Sequence, residues 1–251
     1  MNSPFLFSFK TDISGVASPK KLNNPFVVSR SEIATIACKE FQQYLTDECH
    51  EWDHNFKVDK GKMFGVLVVE RHNKRYFIAT VSGKLKGIVT SPKFVPSVFE
   101  ECTEDYRINK GMSELTQIGA QITASSDPVL KEDLINSRKQ KSKSLQNWLF
   151  DNYKFLNING KISSVTTIFK EFNNAVPPAA AGECAAPKLL HFALKHELKP
   201  VAIAEFWWGI PSKSEEREHL AFYPACKNKC QAILEYILDD NSLYHNRLVK
   251  L

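Results

Sequence analysis

The stretch GKMFGVLVVERHNKRYFIATVSGKL, residues 61–85, constrains the fold more than any other part of the chain. Two runs rich in β-branched and aromatic residues, Met63 to Glu70 and Tyr76 to Ser82, flank RHNKR, which is the pattern of a β-hairpin. Both runs are apolar enough to lie inside a sheet, and a sheet buried on both sides needs covering layers. KPVAIAEFWWG (199–209) reads as another strand buried on both sides. A helix is expected on either side of it, from about 184 to 197 and from about 226 to 238. Pro187 is tolerated in the first turn of the former. Leu190, Ala193 and Leu194 face inward on the one, and Ile233, Leu234, Ile237 and Leu238 on the other. Hairpin, then helix–strand–helix, gives an α/β (α+β) layered sheet with flanking helices.

The remaining chain divides around this core. Residues 1–28, with Pro4, Pro19, Pro25 and Gly15, read as an extended arm, and 29–251 as a single domain. SRSEIATIACKEFQQYL is a helix capped by Ser31, with Ile33, Ile36, Ala37, Phe41 and Leu45 on its apolar face. From about 92 to 156 the chain is polar and weakly patterned, a helical insertion broken at ASSDP (124–128). One long helix over 129–156, started by Ser126 or Asp127, carries the only dense basic run, RKQKSK. A solvated helix face is one reading of that run. The other is phosphate contact with RNA through Arg138, Lys139, Lys141 and Lys143. KISSVTTIFKEF is a short further element.

With 43% hydrophobic and 24% charged residues, the 251-residue chain can bury a sizeable core without disulfides. The N-terminus has neither the basic cluster nor the apolar run of a signal peptide. No stretch approaches the roughly 20 apolar residues of a membrane-spanning helix. A cytoplasmic protein without a membrane partner is the expectation. A formal charge of +5 is mildly attractive to polyanions.

Three of the six cysteines stand where chemistry is expected. Cys184 opens one helix, in AAAGECAAPKLLHF, and Cys226 and Cys230 open the next, in FYPACKNKC. Four residues apart, Cys226 and Cys230 share a helix face. If the intervening strand is central, both helix mouths meet at one end of the sheet. The helix dipole favours thiolates there, and three thiolates suit a zinc ion with a fourth position open. His191 and His219 are candidates for that position. The alternative is that the thiols are packing residues at helix ends. Trp207 and Trp208, on opposite faces of the strand by alternation, are either core residues or platforms for an unpaired base.

A cysteine or histidine at one helix mouth and a P-C-x-x-C pair at the next resembles the nucleobase deaminase scheme, as does the element order. The pair here is spaced C-x-x-x-C. The position of the deaminase glutamate, two residues after the first ligand, is Ala186. Glu183 and Glu205 are the candidates to replace it as acid/base.

A second resemblance spans about residues 5–238. GKMFGVLVV, SGKL, FVP, RKQKSKSLQ, PPAAAGECAAPKLLHFA, LKPVAIAEFWWG and FYPACKNKCQAIL resemble, in this order, the N-terminal region of a bacterial subgroup of RluA-type pseudouridine synthases. That region precedes the isomerase domain, whose catalytic aspartate lies in an R-L-D segment. No such segment occurs here, since Arg247 and Leu248 are followed by valine. The resemblance implies an accessory module for modification of ribosomal or transfer RNA, with a separate synthase as possible partner. Three readings stand: an RNA-binding module with a three-cysteine zinc site, a zinc-dependent nucleobase or nucleotide deaminase, and a metal-free protein-interaction module.

Overall fold

The computed structural model describes residues 3–28, 31–87, 91, 93–98, 106–211 and 216–238. In chain order its strands are β1 (Phe7–Ser8), β2 (Lys62–Arg71), β3 (Lys74–Val81), β4 (Lys154–Leu156), β5 (Ile162–Ser164), β6 (Lys199–Trp208) and β7 (Phe222–Tyr223). Its helices are α1 (Glu32–Glu48), α2 (Tyr106–Ala124), α3 (Pro128–Asn152), α4 (Val165–Asn173), α5 (Ala185–Lys195) and α6 (Lys227–Ile237). Five strands form one antiparallel sheet in the order β1–β3–β2–β6–β7. The fold is α/β.

The hairpin is tighter than its sequence suggests. His72 and Asn73 both take positive φ, 48° and 58°, in a two-residue turn whose twist suits the strands. β6 lies beside β2 from Lys62↔Trp208 to Glu70↔Lys199, with an irregularity at Val68/Val69. Alternation then sorts side chains between two cores. Val66, Val68, Phe206 and Trp208 pack with Ile33, Ala37, Phe41 and Leu45 of α1. Leu67 and Ile203 pack on the other face with Leu189 and Leu190 of α5 and Ile233 and Leu234 of α6. Ser31 caps α1 as its sequence predicts, accepting from Ala34 N–H.

Two expectations are corrected. The N-terminal arm is not merely extended: Phe7–Ser8 adds a strand to the β3 edge, and Leu22 and Phe26 are buried. The Arg75 guanidinium holds the arm by donating to the carbonyls of Ile13 and Val16. The Glu40 carboxylate accepts the N–H groups of Lys10 and Thr11. At the far side of the sheet the Asn23 amide exchanges two hydrogen bonds with the backbone of Ile203, at 2.8 and 2.9 Å.

The second correction concerns the long helix, which stops at Asn152 rather than 156. Residues 154–156 pair with 162–164 in a small hairpin instead. The break before it is as expected, with the Asp127 carboxylate capping α3 at Val129 and Leu130. α2 and α3 pack on each other, Leu145 seated over Gly111. Phe150 is the buried residue of α3. Positions 92 and 99–105 of the expected insertion lie outside the described residues. Among the described residues no helix is long and apolar enough to cross a membrane.

Candidate metal centre

Cys184 and Cys226 occupy the N-cap positions of α5 and α6, and neither side chain caps its helix. The first two free N–H groups of α5 are met from elsewhere. Ser82 Oγ, at the end of the hairpin, accepts from Ala185 N–H at 3.1 Å, and Glu205 Oε1 on β6 accepts from Ala186 N–H at 2.9 Å. Cys184 is thereby released from capping. Gly65 makes this approach possible. A side-chain carbon there would lie 2.6 Å from Ala185 Cβ and 3.0 Å from Leu189 Cδ1, so only glycine lets the first turn of α5 press onto β2.

The loop into Cys184 is held as firmly. Glu183 O accepts from Gly83 N–H at 2.8 Å, and Tyr153 OH reaches Gly182 O at 3.1 Å. Glu183 Oε1 accepts from Ser97 Oγ at 2.9 Å and Tyr153 OH at 2.8 Å. The ammonium of Lys188, buried, donates to Val81 O at 2.7 Å and lies 4.0 Å from Glu183 Oε2. Glu183, a candidate acid/base from sequence, therefore anchors the loop with its carboxylate.

The fold brings all three cysteines together. Their sulfurs lie within S–H···S hydrogen-bond reach of one another. Cys226 is the principal acceptor: the thiols of Cys184 and Cys230 donate to it and hold its pKa well below the ordinary thiol value. Donation to Cys226 pushes Cys184 up, and bonds to Cys184 and Cys226 push Cys230 up. Glu205 stands behind them, in register with Gly65. Burial raises its carboxyl to about 7, opposed by the Ala186 N–H and aided by the charge of Cys226, and Glu205 in turn helps to raise Cys184. Beside Glu205 and Ala186 a small pocket of about 20 Å³ is lined by Ile203, Phe222 and the arm residues Val27 and Val28. That is room for a single water.

The other candidates lie elsewhere. His191 Nδ1 accepts from Leu156 N–H at 3.0 Å and its ring meets Phe155. His219 Nδ1 accepts from Gly209 N–H at 3.0 Å, and its ring packs on Trp208 across the sheet from the thiols. Trp207 and Trp208 are both buried and on opposite faces; Trp207 donates its indole N–H to Ile210 O at 2.9 Å. Arg138, Lys139, Lys141 and Lys143 are exposed along α3. Arg138 Nε reaches Leu115 O at 3.3 Å and Lys141 pairs with Glu114 at 3.0 Å.

Three soft sulfur donors with a buried carboxylate are the donor chemistry that zinc takes. As they stand, no group of three or more His, Cys, Asp or Glu side chains among the described residues is set out to hold an ion. The sequence reading missed Ser82, Lys188 and Gly65; a glycine inside the β-rich run MFGVLVV was the signal for the last. Compared with protein-family models, curated proteins and solved structures, the chain gives no significant match.

Proposed function

We propose that this chain is a zinc-binding, RNA-associated module of the cytoplasm, akin to the region that precedes the isomerase domain in bacterial RluA-type pseudouridine synthases. The observation that carries the metal reading is the meeting of Cys184, Cys226 and Cys230 from two helix mouths, with capping of α5 delegated to Ser82 and Glu205. The three thiols would hold the ion as thiolates, and Cys226 is already the most acidic of them. A zinc ion bound there would supply Lewis acidity. The exposed lysines of α3 supply sites for RNA phosphates, and the resemblance of the cysteine blocks supports the RNA-modification setting.

Metal content by mass spectrometry, on protein purified without chelator or affinity metal, tests the reading directly. About one zinc per chain is expected, lost in Cys184→Ser and in Cys226→Ser. Metal-free wild-type protein that is fully folded would end it and leave a protein-interaction module.

A second reading, a zinc-dependent nucleobase or nucleotide deaminase, is favoured by one observation. Glu205 places its carboxylate on the N–H of Ala186, the position where the deaminase scheme carries its glutamate. With a pKa raised to about 7 it can hold or release a proton near neutrality. Deamination of any free nucleobase or nucleotide by the zinc-loaded protein, abolished in Glu205→Gln with zinc retained, would establish it. Zinc loading without turnover in either protein would leave Glu205 a structural cap.

A further inference from the structure

On the sheet face opposite the thiols, the end of β6, the last turn of α1 and the segment after it line a half-open pocket of about 660 Å³. Its walls are aromatic. Trp208 meets the ring of His219 at 4.6 Å and 61°, and Trp52 meets Phe56 at 6.2 Å and 67°. Cys49 lines the pocket beside Trp208. Its polar side chains are Thr46, Cys49, Asn55, His50, which lies 3.9 Å from the Glu51 carboxylate, and the His219 ring, whose Nδ1 accepts from Gly209 N–H. Lys57 stands exposed at the rim.

The walls are set by backbone contacts. Gly209 has φ of 101°, and a side-chain carbon there would lie 3.0 Å from both Gly61 Cα and Phe56 O. Phe56 O accepts from Ile210 N–H at 3.1 Å, which ties the two walls together. Such a pocket is formed before its ligand arrives, so little ordering cost is left to binding.

We infer that this pocket takes a single unpaired nucleotide, its base between the Trp208 and Trp52 side chains and its phosphate toward Lys57. The volume falls in the range of small-molecule sites. Flat indole and phenyl walls suit a planar heteroaromatic ring over an aliphatic chain, because base–aromatic stacking is strong and tolerant of sequence. The lysine at the mouth matches the charge such a ring carries with it as a nucleotide. The source is a free mononucleotide or an unpaired residue in a strand. The pocket gives Trp208 a role in the RNA reading, but it is independent of the metal because the sheet lies between.

Tryptophan fluorescence titration separates the outcomes, using uridine, the four ribonucleoside monophosphates and a short single-stranded oligoribonucleotide. Saturable quenching by nucleotides is expected, weakened about tenfold or more by Trp52→Leu. Lys57→Ala, at an exposed position that leaves the fold intact, should weaken nucleotide binding several-fold and leave uridine unchanged. Binding of the oligonucleotide alone, lost in Trp52→Leu, supports the proposal with the strand as source; binding of monophosphates assigns the free nucleotide. Absence of binding by every probe, or nucleotide binding untouched by both variants, overturns it. Cys184→Ser should bind as wild type, so failure here and failure of the metal reading are distinct.

Discussion

On the α1 face of the sheet, Phe41, Phe64, Phe94 and Phe206 meet ring to ring at 5.9 to 6.2 Å. On the opposite face, at the same level of β6, α5 and α6 bring together three thiols, a buried carboxyl and a buried ammonium. One strand serves both through simple alternation: Phe206 and Trp208 turn one way, Glu205 and Trp207 the other. The aromatic face draws its stability from area and packing, which hardly depend on pH. The polar face depends on which groups hold protons. Stability on one side of the strand is therefore unconditional, and on the other it is conditional on solution chemistry.

The largest effect should come from the aromatic face. Phe41→Ala removes a fully buried ring that packs against Phe7, Phe64, Phe94 and Phe206, and should cost about 3–5 kcal/mol in chemical denaturation, equally at pH 5 and pH 8. A cost that varied strongly with pH would break the contrast.

Next is Glu205→Gln in protein stripped of metal. The folded carboxyl titrates at about 7, above its ordinary 4.5, so between these values the folded state holds a proton that the unfolded chain has lost. Wild-type stability should fall as pH rises from about 4.5 to about 7, by a few kcal/mol at most, and Gln should flatten that slope. Parallel pH profiles for the two proteins would show that the polar face is not set by Glu205.

The smallest effect should lie outside both faces. Lys139→Ala with Lys143→Ala, exposed on α3, should change stability by less than about 0.5 kcal/mol. If they neutralise RNA phosphates, the slope of log affinity against log salt should shrink by about 0.7 for each lysine removed.

What could be read in the sequence was local. Ser31 and Asp127 announce helix starts by residue type alone, and Cys184 and Cys226 stand at helix mouths where small residues and proline give way to periodic apolar ones. The convergence of the thiols was legible only through the expectation that β6 lies inside the sheet. The capping of α5 was not, because Ser82 and Glu205 reach Ala185 and Ala186 across 103 and 19 residues. The β4–β5 hairpin had a local signal in Asn159-Gly160, with Gly160 at φ of 76°, but its strands are only three residues long. Trp52 and Phe56 follow α1 in a segment without period, so nothing marked them as the wall of a pocket.

The N-terminal arm reaches both borders of the main sheet. Phe7 and Ser8 occupy the outer side of β3, and the Asn23 amide takes the place of a neighbouring strand at Ile203, ahead of where β7 begins. An uncovered strand border is a template on which a second molecule can add its own strand. These few residues therefore act as selvedges on a woven cloth. By covering part of the sheet at each margin they withhold hydrogen-bonding groups from a second strand, and cutting them away would leave Tyr76, Phe77 and Ile203 open to strand addition.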